Sequence, residues 1–164
     1  MHVSEIETPA IVVDLDILER NLSRVANYAK QHGLRLRPHT KTHKSAWLGG
    51  LQLEHGAVGL TVAKVGEAEV MLRAKPRDLL VAYPVMGETK LNRLMHVARQ
   101  TELTVAIDSA EVAEGLSRAA VQAGVAVGVL VEEDVGLGRI GVRDAARLVT
   151  LAKQVDGLPG LTLK

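Results

Sequence analysis

"TELTVAIDSAEVAEGLSRAAVQAGVAVGVLV", residues Thr101 to Val131, reads as strand, helix, strand. Leu103 to Ile107 and Val125 to Val131 are apolar runs of strand length. Between them, Asp108 followed by Glu111 marks a helix start, and Gly124 stands where a helix usually terminates. Two strands joined by a helix of this length form a parallel βαβ unit, with the strands covered on both faces.

The alternation continues in both directions. Further strands are expected near Leu34 to Arg37, Ala57 to Val62, Leu79 to Ala82 and Leu161 to Leu163, and further helices in GETKLNRLMHVARQ and VRDAARLVTLAKQVDG. At the amino end, AIVVDL (Ala10 to Leu15) is strand-like. Asp16 and Glu19 then have capping-box spacing for a helix that runs to Gly33. Its Ile17, Leu18, Leu22, Val25, Ala26 and Ala29 share one face, as a helix covering a sheet requires. About six strands after the first leave a choice between a doubly wound sheet and a (β/α)8 barrel. A complete barrel typically takes ~250 residues. This chain has 164, and GLPGLTLK stops as a strand begins. The expectation is a single α/β domain, residues 1–164, forming a partial barrel with about six of its eight strands.

Composition narrows the function. Twenty basic against nineteen acidic side chains give no electrostatic footprint for nucleic acid, and 2% aromatic content leaves few rings for stacking on bases. No stretch approaches the ~18 apolar residues of a membrane helix, and MHVSEIETPA lacks the pattern of a signal peptide. With no cysteine, a reducing, cytoplasmic setting is expected. Nucleic acid and membrane are therefore set aside as partners.

"LRLRPHTKTH" (Leu34 to His43) concentrates charge in an apolar setting. Strand alternation would send Leu34, Leu36, Pro38 and Thr40 one way and Arg35, Arg37, His39 and Lys41 the other. Pro38 cannot donate to a ladder, so the strand should end there and place His39 and Lys41 at its carboxyl end, where α/β proteins build their sites. Most lysines are simply solvated, and Lys41 and Lys44 taken from charge alone would be so. His39 and His43 have a spacing that suits a metal only on a helix, which this segment is not, so no metal site is expected. An amine sheltered among cations at a strand end, by contrast, is a nucleophile toward aldehydes, and Schiff-base chemistry is its natural use.

The stretch "RPHTKTHK", preceded by "TPAIVVDLDILERN" and followed by "GAVGLTVAKVGEAEVM", resembles the D-threonine aldolase and D-serine dehydratase family, whose barrel is similar to the N-terminal domain of alanine racemase. The resemblance implies pyridoxal 5′-phosphate as cofactor, linked as a Schiff base to Lys41 rather than Lys44. A second match, "VEEDVGLGRIGV" (Val131 to Val142), implies Arg139 near the cofactor ring oxygen and the substrate carboxylate. Gly136 and Gly138 would let the backbone turn there, and the planar guanidinium suits such an anion. A plain turn carrying a surface arginine is the competing account. The resemblance further implies a D-3-hydroxy amino acid as substrate, cleaved to an aldehyde and glycine, with dehydratase or racemase chemistry as alternatives. It also implies a homodimer, and a β-rich C-terminal domain, absent here, that carries any divalent-metal ligands.

Softer candidates for cofactor binding are His39, Thr61 in "GLTVAK" and Tyr83 in "VAYPVMG", the last two near the ends of their strands. Thr61 is equally a routine strand former, and Tyr83 can equally plug the barrel mouth. Glu67 and Glu69 are read as the first turn of a helix, stabilised by its dipole, and Glu132 as a partner for Arg37 or Arg139. Two other readings of the chain are a non-catalytic pyridoxal phosphate-binding protein and an inactive fragment.

Overall fold

The computed structural model describes residues 2–164. Six α-helices and five strands alternate: α1 (Leu15–Gln31), α2 (Ala46–Glu54), β1 (Leu60–Val62), α3 (Val65–Met71), β2 (Asp78–Val81), α4 (Glu88–Ala98), β3 (Glu102–Ile107), α5 (Ala110–Ala123), β4 (Val127–Val131), α6 (Ala145–Asp156) and β5 (Leu161–Leu163). All strand pairs are parallel, and the order in the sheet is β1-β2-β3-β4-β5.

That order decides between the two architectures. A doubly wound sheet reverses direction partway and puts helices on both faces. Here every crossover moves one strand the same way. Because such crossovers are right-handed, all the connecting helices lie on one face and the other stays free of them, as in a barrel wall. The side chains divide accordingly. Leu60, Val62, Leu79, Val81, Val105, Ile107, Val127 and Val129 are fully buried on the helix side, where they meet Met71, Leu94, Val97, Leu116 and Val155. The helix-free face carries small or polar residues in register, with Thr61, Leu80, Thr104, Gly128 and Thr162 forming one row. Gly49, in the middle of α2, keeps that helix close to the sheet: a Cβ there would stand 3.2 Å from both Leu60 and Met71.

Several expectations fail at the amino-terminal edge. Ala10 to Leu15 is not a strand; Ile11 is 97% exposed and the segment pairs with nothing among the described residues. The helix after it starts at Leu15, and its cap is Asp14, whose carboxylate accepts from the Ile17 amide at 3.0 Å, rather than Asp16. Of the predicted apolar face, Ile17 and Val25 stand exposed, and only Ala29 is fully buried. Leu34 to Arg37 is extended beside β1 but forms no ladder; it touches the sheet through the Leu36 and Pro38 carbonyls and a single bridge between His39 and Thr61. Five strands therefore stand where about six were expected, because Pro38 and the turn after it interrupt the pairing. The order and the helix-free face of a partial barrel hold nonetheless. Among the described residues no helix is long and apolar enough to cross a membrane.

At the amino ends of the strands, Arg37 reaches across the edge to Asp78, with Nε 2.7 Å from one carboxylate oxygen and a terminal nitrogen 2.9 Å from the other. The residue between them in register is Gly59, where a Cβ would lie 2.5 Å from the Asp78 carbonyl oxygen. Only glycine lets this two-point pair form.

α1 is tied to the end of α2 by His55. Its Nδ1 faces the Leu51 carbonyl at 2.8 Å and its Nε2 faces Glu19 at 3.0 Å. Two acceptors suit an imidazolium, which has two donors, and the Glu19 hydrogen bond holds the His55 pKa above its ordinary value. A raised folded-state pKa means that this tie contributes fully below the unfolded value of about 6.5 and is lost as pH rises through the higher folded value. Amide exchange in α1 is therefore expected to quicken between pH 6 and pH 8, more than in α5. His55→Leu should remove that difference.

Candidate active site

Lys41, His39, Thr61, Tyr83, Glu132 and Arg139 lie toward the carboxyl ends of the strands or on the segments that follow them. The segment after Pro38 does not continue as a strand. Thr40 to Thr42 form a 3-10 turn, capped by the His39 side chain, whose Nδ1 accepts from the Lys41 amide at 3.3 Å. Thr40 is wholly buried and donates its hydroxyl to the Thr61 carbonyl at 3.1 Å. Thr61 in turn donates to the Arg37 carbonyl at 3.3 Å. These bonds lock the turn onto the tip of β1 and end the strand alternation at Thr40. Lys41 consequently stands exposed on the rim. The expected shelter of its amine is not found: Lys41 is exposed, although close enough for its charge to act on His39.

His39 feels the site's charges. Its pKa lies below the ordinary histidine value, first through burial and then through the positive charge of Lys41; the Glu67 carboxylate works the other way. Glu67 is the residue the sequence reading undervalued. It is buried, and from the first turn of α3 one oxygen accepts from the Ala63 amide at 2.8 Å while the other lies 3.8 Å from Lys44 Nζ. Its spacing after Lys64 is that of a capping-box glutamate that reaches back to the chain entering a helix. That signal was present in "KVGEAEV". Glu69, two residues on, instead pairs through both oxygens with Arg93 and joins α3 to α4 on the surface.

Tyr83 lies two residues beyond β2, 43% exposed, at the rim. The second motif forms a looped excursion after β4. Its neck is closed by the Val142 amide donating to the Glu132 carbonyl at 2.8 Å and the Asp134 amide donating to the Val142 carbonyl at 3.0 Å. Asp134 organises the interior: its carboxylate accepts from the Gly136 and Gly138 amides at 3.1 and 2.9 Å and from Arg143 Nε at 3.1 Å. Those donors hold its pKa below the usual carboxylate range. Arg139 is exposed at the far side of this loop.

Glu132 continues the helix-free row of Gly128 and Leu130, next to Asp108 at the end of β3. Its Oε2 is buried and has no hydrogen-bond partner. Burial, then the Asp108 charge, push its pKa up, while Arg139 pulls it down. Glu132 thus feels the charge of Arg139 but makes no ion pair with it among the described residues, and Arg37 is committed to Asp78 at the opposite end of the sheet. Asp108 does not cap α5 as its spacing suggested; it accepts from the Gly141 amide at 3.2 Å, and Ser109 takes the cap position.

Lys41, His39, Thr61, Tyr83, Glu132 and Arg139 therefore lie along one arc of the rim, on successive chain segments from the β1 edge to β4. Neighbouring strands stand about 4.8 Å apart, so the arc from the Lys41 segment to Arg139 spans roughly 19 Å along the sheet. An exposed amine at one end, a guanidinium at the other and a buried carboxylate oxygen lacking a donor are the charged groups along this arc. Among the described residues, no group of three or more His, Cys, Asp or Glu side chains is placed to hold a metal ion.

Residues 13–164 match the family model described as alanine racemase, N-terminal domain. The whole chain is 40% identical to a 3-hydroxy-D-aspartate aldolase of Paracoccus denitrificans and covers 43% of it. It is 40% identical over 97% of its length to a D-threonine aldolase of an Arthrobacter species, covering 42% of that protein. The crystal structure of D-threonine aldolase from Filomicrobium marinum superposes with a TM-score of 0.95 at 38% identity, over 98% of this chain and 43% of that one. The chain spans less than half the length of these relatives. With the matched model covering nearly all its residues, and the sheet order and helix-free face in agreement, the chain belongs to the alanine racemase N-terminal domain family.

Proposed function

We propose that this chain forms the cofactor-bearing part of a pyridoxal 5′-phosphate-dependent lyase that acts on D-3-hydroxy amino acids and cleaves the Cα–Cβ bond to give an aldehyde and glycine. The observation that carries the reading is Lys41: an exposed primary amine, on a turn that the Thr40 hydroxyl fastens to β1, in a chain 40% identical to two aldolases of such substrates.

When bound, the cofactor supplies an electron sink for charge developing at Cα. The residues of this chain provide its placement. Lys41 Nζ is the amine that takes the cofactor aldehyde, and its exposure leaves room for a substrate amine to compete for the same carbon. His39, with its lowered pKa, stays neutral near pH 7 and adds no second positive charge beside that amine. Thr61 spends its hydroxyl on the Arg37 carbonyl, so its part is to hold the turn rather than to bind the cofactor directly. Arg139 offers a planar pair of donors to the ring oxygen or a substrate carboxylate. Glu132 lies near enough for the Arg139 charge to act on it but makes no hydrogen bond to it.

The test is to add pyridoxal phosphate, reduce with borohydride, and locate the adduct by peptide mass spectrometry, then to assay D-threonine, D-serine and D-alanine. An adduct on Lys41, with glycine and acetaldehyde formed from D-threonine, is expected from the full-length protein. An adduct confined to Lys44 overturns the assignment of the amine. Release of ammonia and a keto acid replaces aldolase by dehydratase chemistry.

A further inference from the structure

We propose that Glu67 is a positioning residue that selects between the two lysines of the motif, holding Lys44 as a paired cation so that Lys41 alone is presented as the free amine. This rests on the assignment of Lys41 above.

Both lysines lie on one short turn, three residues apart, and both are exposed. Their surroundings differ. Lys44 adopts a left-handed backbone, φ +50°, which few lysines take, and this turns its side chain to within 3.8 Å of the Glu67 carboxylate. Among the described residues Lys41 makes no ion pair. Glu67 itself cannot drift: it is buried, and its second oxygen is held by the Ala63 amide at 2.8 Å. An anchored carboxylate beside one amine holds that amine in an ion pair, and an amine so held is less available to attack an aldehyde than one with no partner. The groups facing Glu67 are thus Lys44 from the turn, His39 from the preceding segment and the Ala63 amide from the end of β1.

The covalent step is the same at either lysine. The Nζ lone pair bonds to the aldehyde carbon, the carbonyl oxygen leaves as water with two protons from the amine and solvent, and borohydride then donates hydride to fix the C–N bond.

The decisive variant is Glu67→Gln, which keeps an acceptor for the Ala63 amide and removes only the charge. Two measurements are made on wild type and variant. The first is the ratio of borohydride-trapped pyridoxal phosphate at Lys41 and Lys44. The second, which involves no cofactor, is the relative rate of acetylation of the two lysines by acetic anhydride at pH 8, in low salt and in 1 M NaCl. In the variant, Lys44 acetylation is expected to rise about threefold relative to Lys41, as loss of a partly exposed ion pair implies, and trapping at Lys44 should appear. In wild type, 1 M salt should raise Lys44 reactivity by screening. An unchanged Lys44-to-Lys41 acetylation ratio in Glu67→Gln, with an unaltered circular dichroism spectrum, overturns the proposal. If neither lysine traps the cofactor, the reading of Lys41 fails, and the acetylation ratio still decides whether Glu67 discriminates between the amines. Should Glu67→Gln fail to fold, the wild-type protein decides: Lys44 acetylation that does not rise relative to Lys41 between low salt and 1 M NaCl overturns the proposal.

Discussion

Replacing Lys41 by alanine abolishes borohydride-trapped incorporation of pyridoxal phosphate and lowers lyase turnover of the full-length protein at least about 10³-fold, while the melting temperature stays where it was. On the proposed function, the first two effects follow from removing the amine that would join chain to cofactor; general acid–base and covalent groups of this kind are each worth about 10²–10⁴ in rate. The third follows from exposure. The side chain of Lys41 is exposed and makes no ion pair among the described residues, and a surface change of this kind stays within about 0.5 kcal/mol. Lys41→Arg sharpens the result, since it keeps the positive charge beside His39 yet cannot condense. Activity surviving in the arginine variant would mean that charge, not covalency, is the contribution of this position.

Gly141→Ala is the structural counterpart, with an expected loss of about 3 kcal/mol in stability and a loop that no longer closes. Gly141 has φ +105°, outside the range of any side-chain-bearing residue, and a Cβ there would lie 2.5 Å from the Asp134 nitrogen and 2.7 Å from the Glu133 carbonyl carbon. The backbone at the neck is packed against backbone, which cannot yield as a side chain can. Gly136 is the control. Its φ of +120° is equally unsuited to alanine, but no atom lies within 4 Å of its Cβ position, so Gly136→Ala should cost about half as much. Denaturant unfolding ranks the two, and faster amide exchange from Asp134 to Val142 localises the damage. A Gly141→Ala protein as stable as wild type would remove the neck from the account of how Arg139 is placed.

The sheet and its helices were legible because their signals are local and redundant. From Leu79 onward each strand is a short apolar run and two of the three helices are closed by a glycine, and the observed elements agree with the reading to within two or three residues. The amino-terminal third resisted it. AIVVDL has the composition of a strand, but a strand needs a neighbour, and composition does not reveal whether one is there. Asp14 and Asp16 are both plausible caps, and only the geometry of the Ile17 amide chooses between them. At the site, the motif residues were found by type and position, whereas their support was not. Asp78, Glu67 and Asp134 act through partners 41, 23 and 9 residues away in the chain, respectively Arg37, Lys44 and Arg143. Alternation also misplaced Lys41, since it assumed an extended chain where Thr40 anchors a turn.

The crossing of Arg37 over Gly59 to Asp78 bears on how this sheet tolerates change. The clasp sits at the opposite pole from Lys41 and Arg139, and among the described residues its side chains bond to neither; the link between the poles is the Thr61 hydroxyl on the Arg37 carbonyl. Mutational drift on the reactive side therefore leaves the fastening of the wall intact, and tightening that fastening leaves substrate choice alone. Such a division of labour makes the scaffold evolvable: one end can be rewritten for new substrates while the other goes on keeping the wall upright.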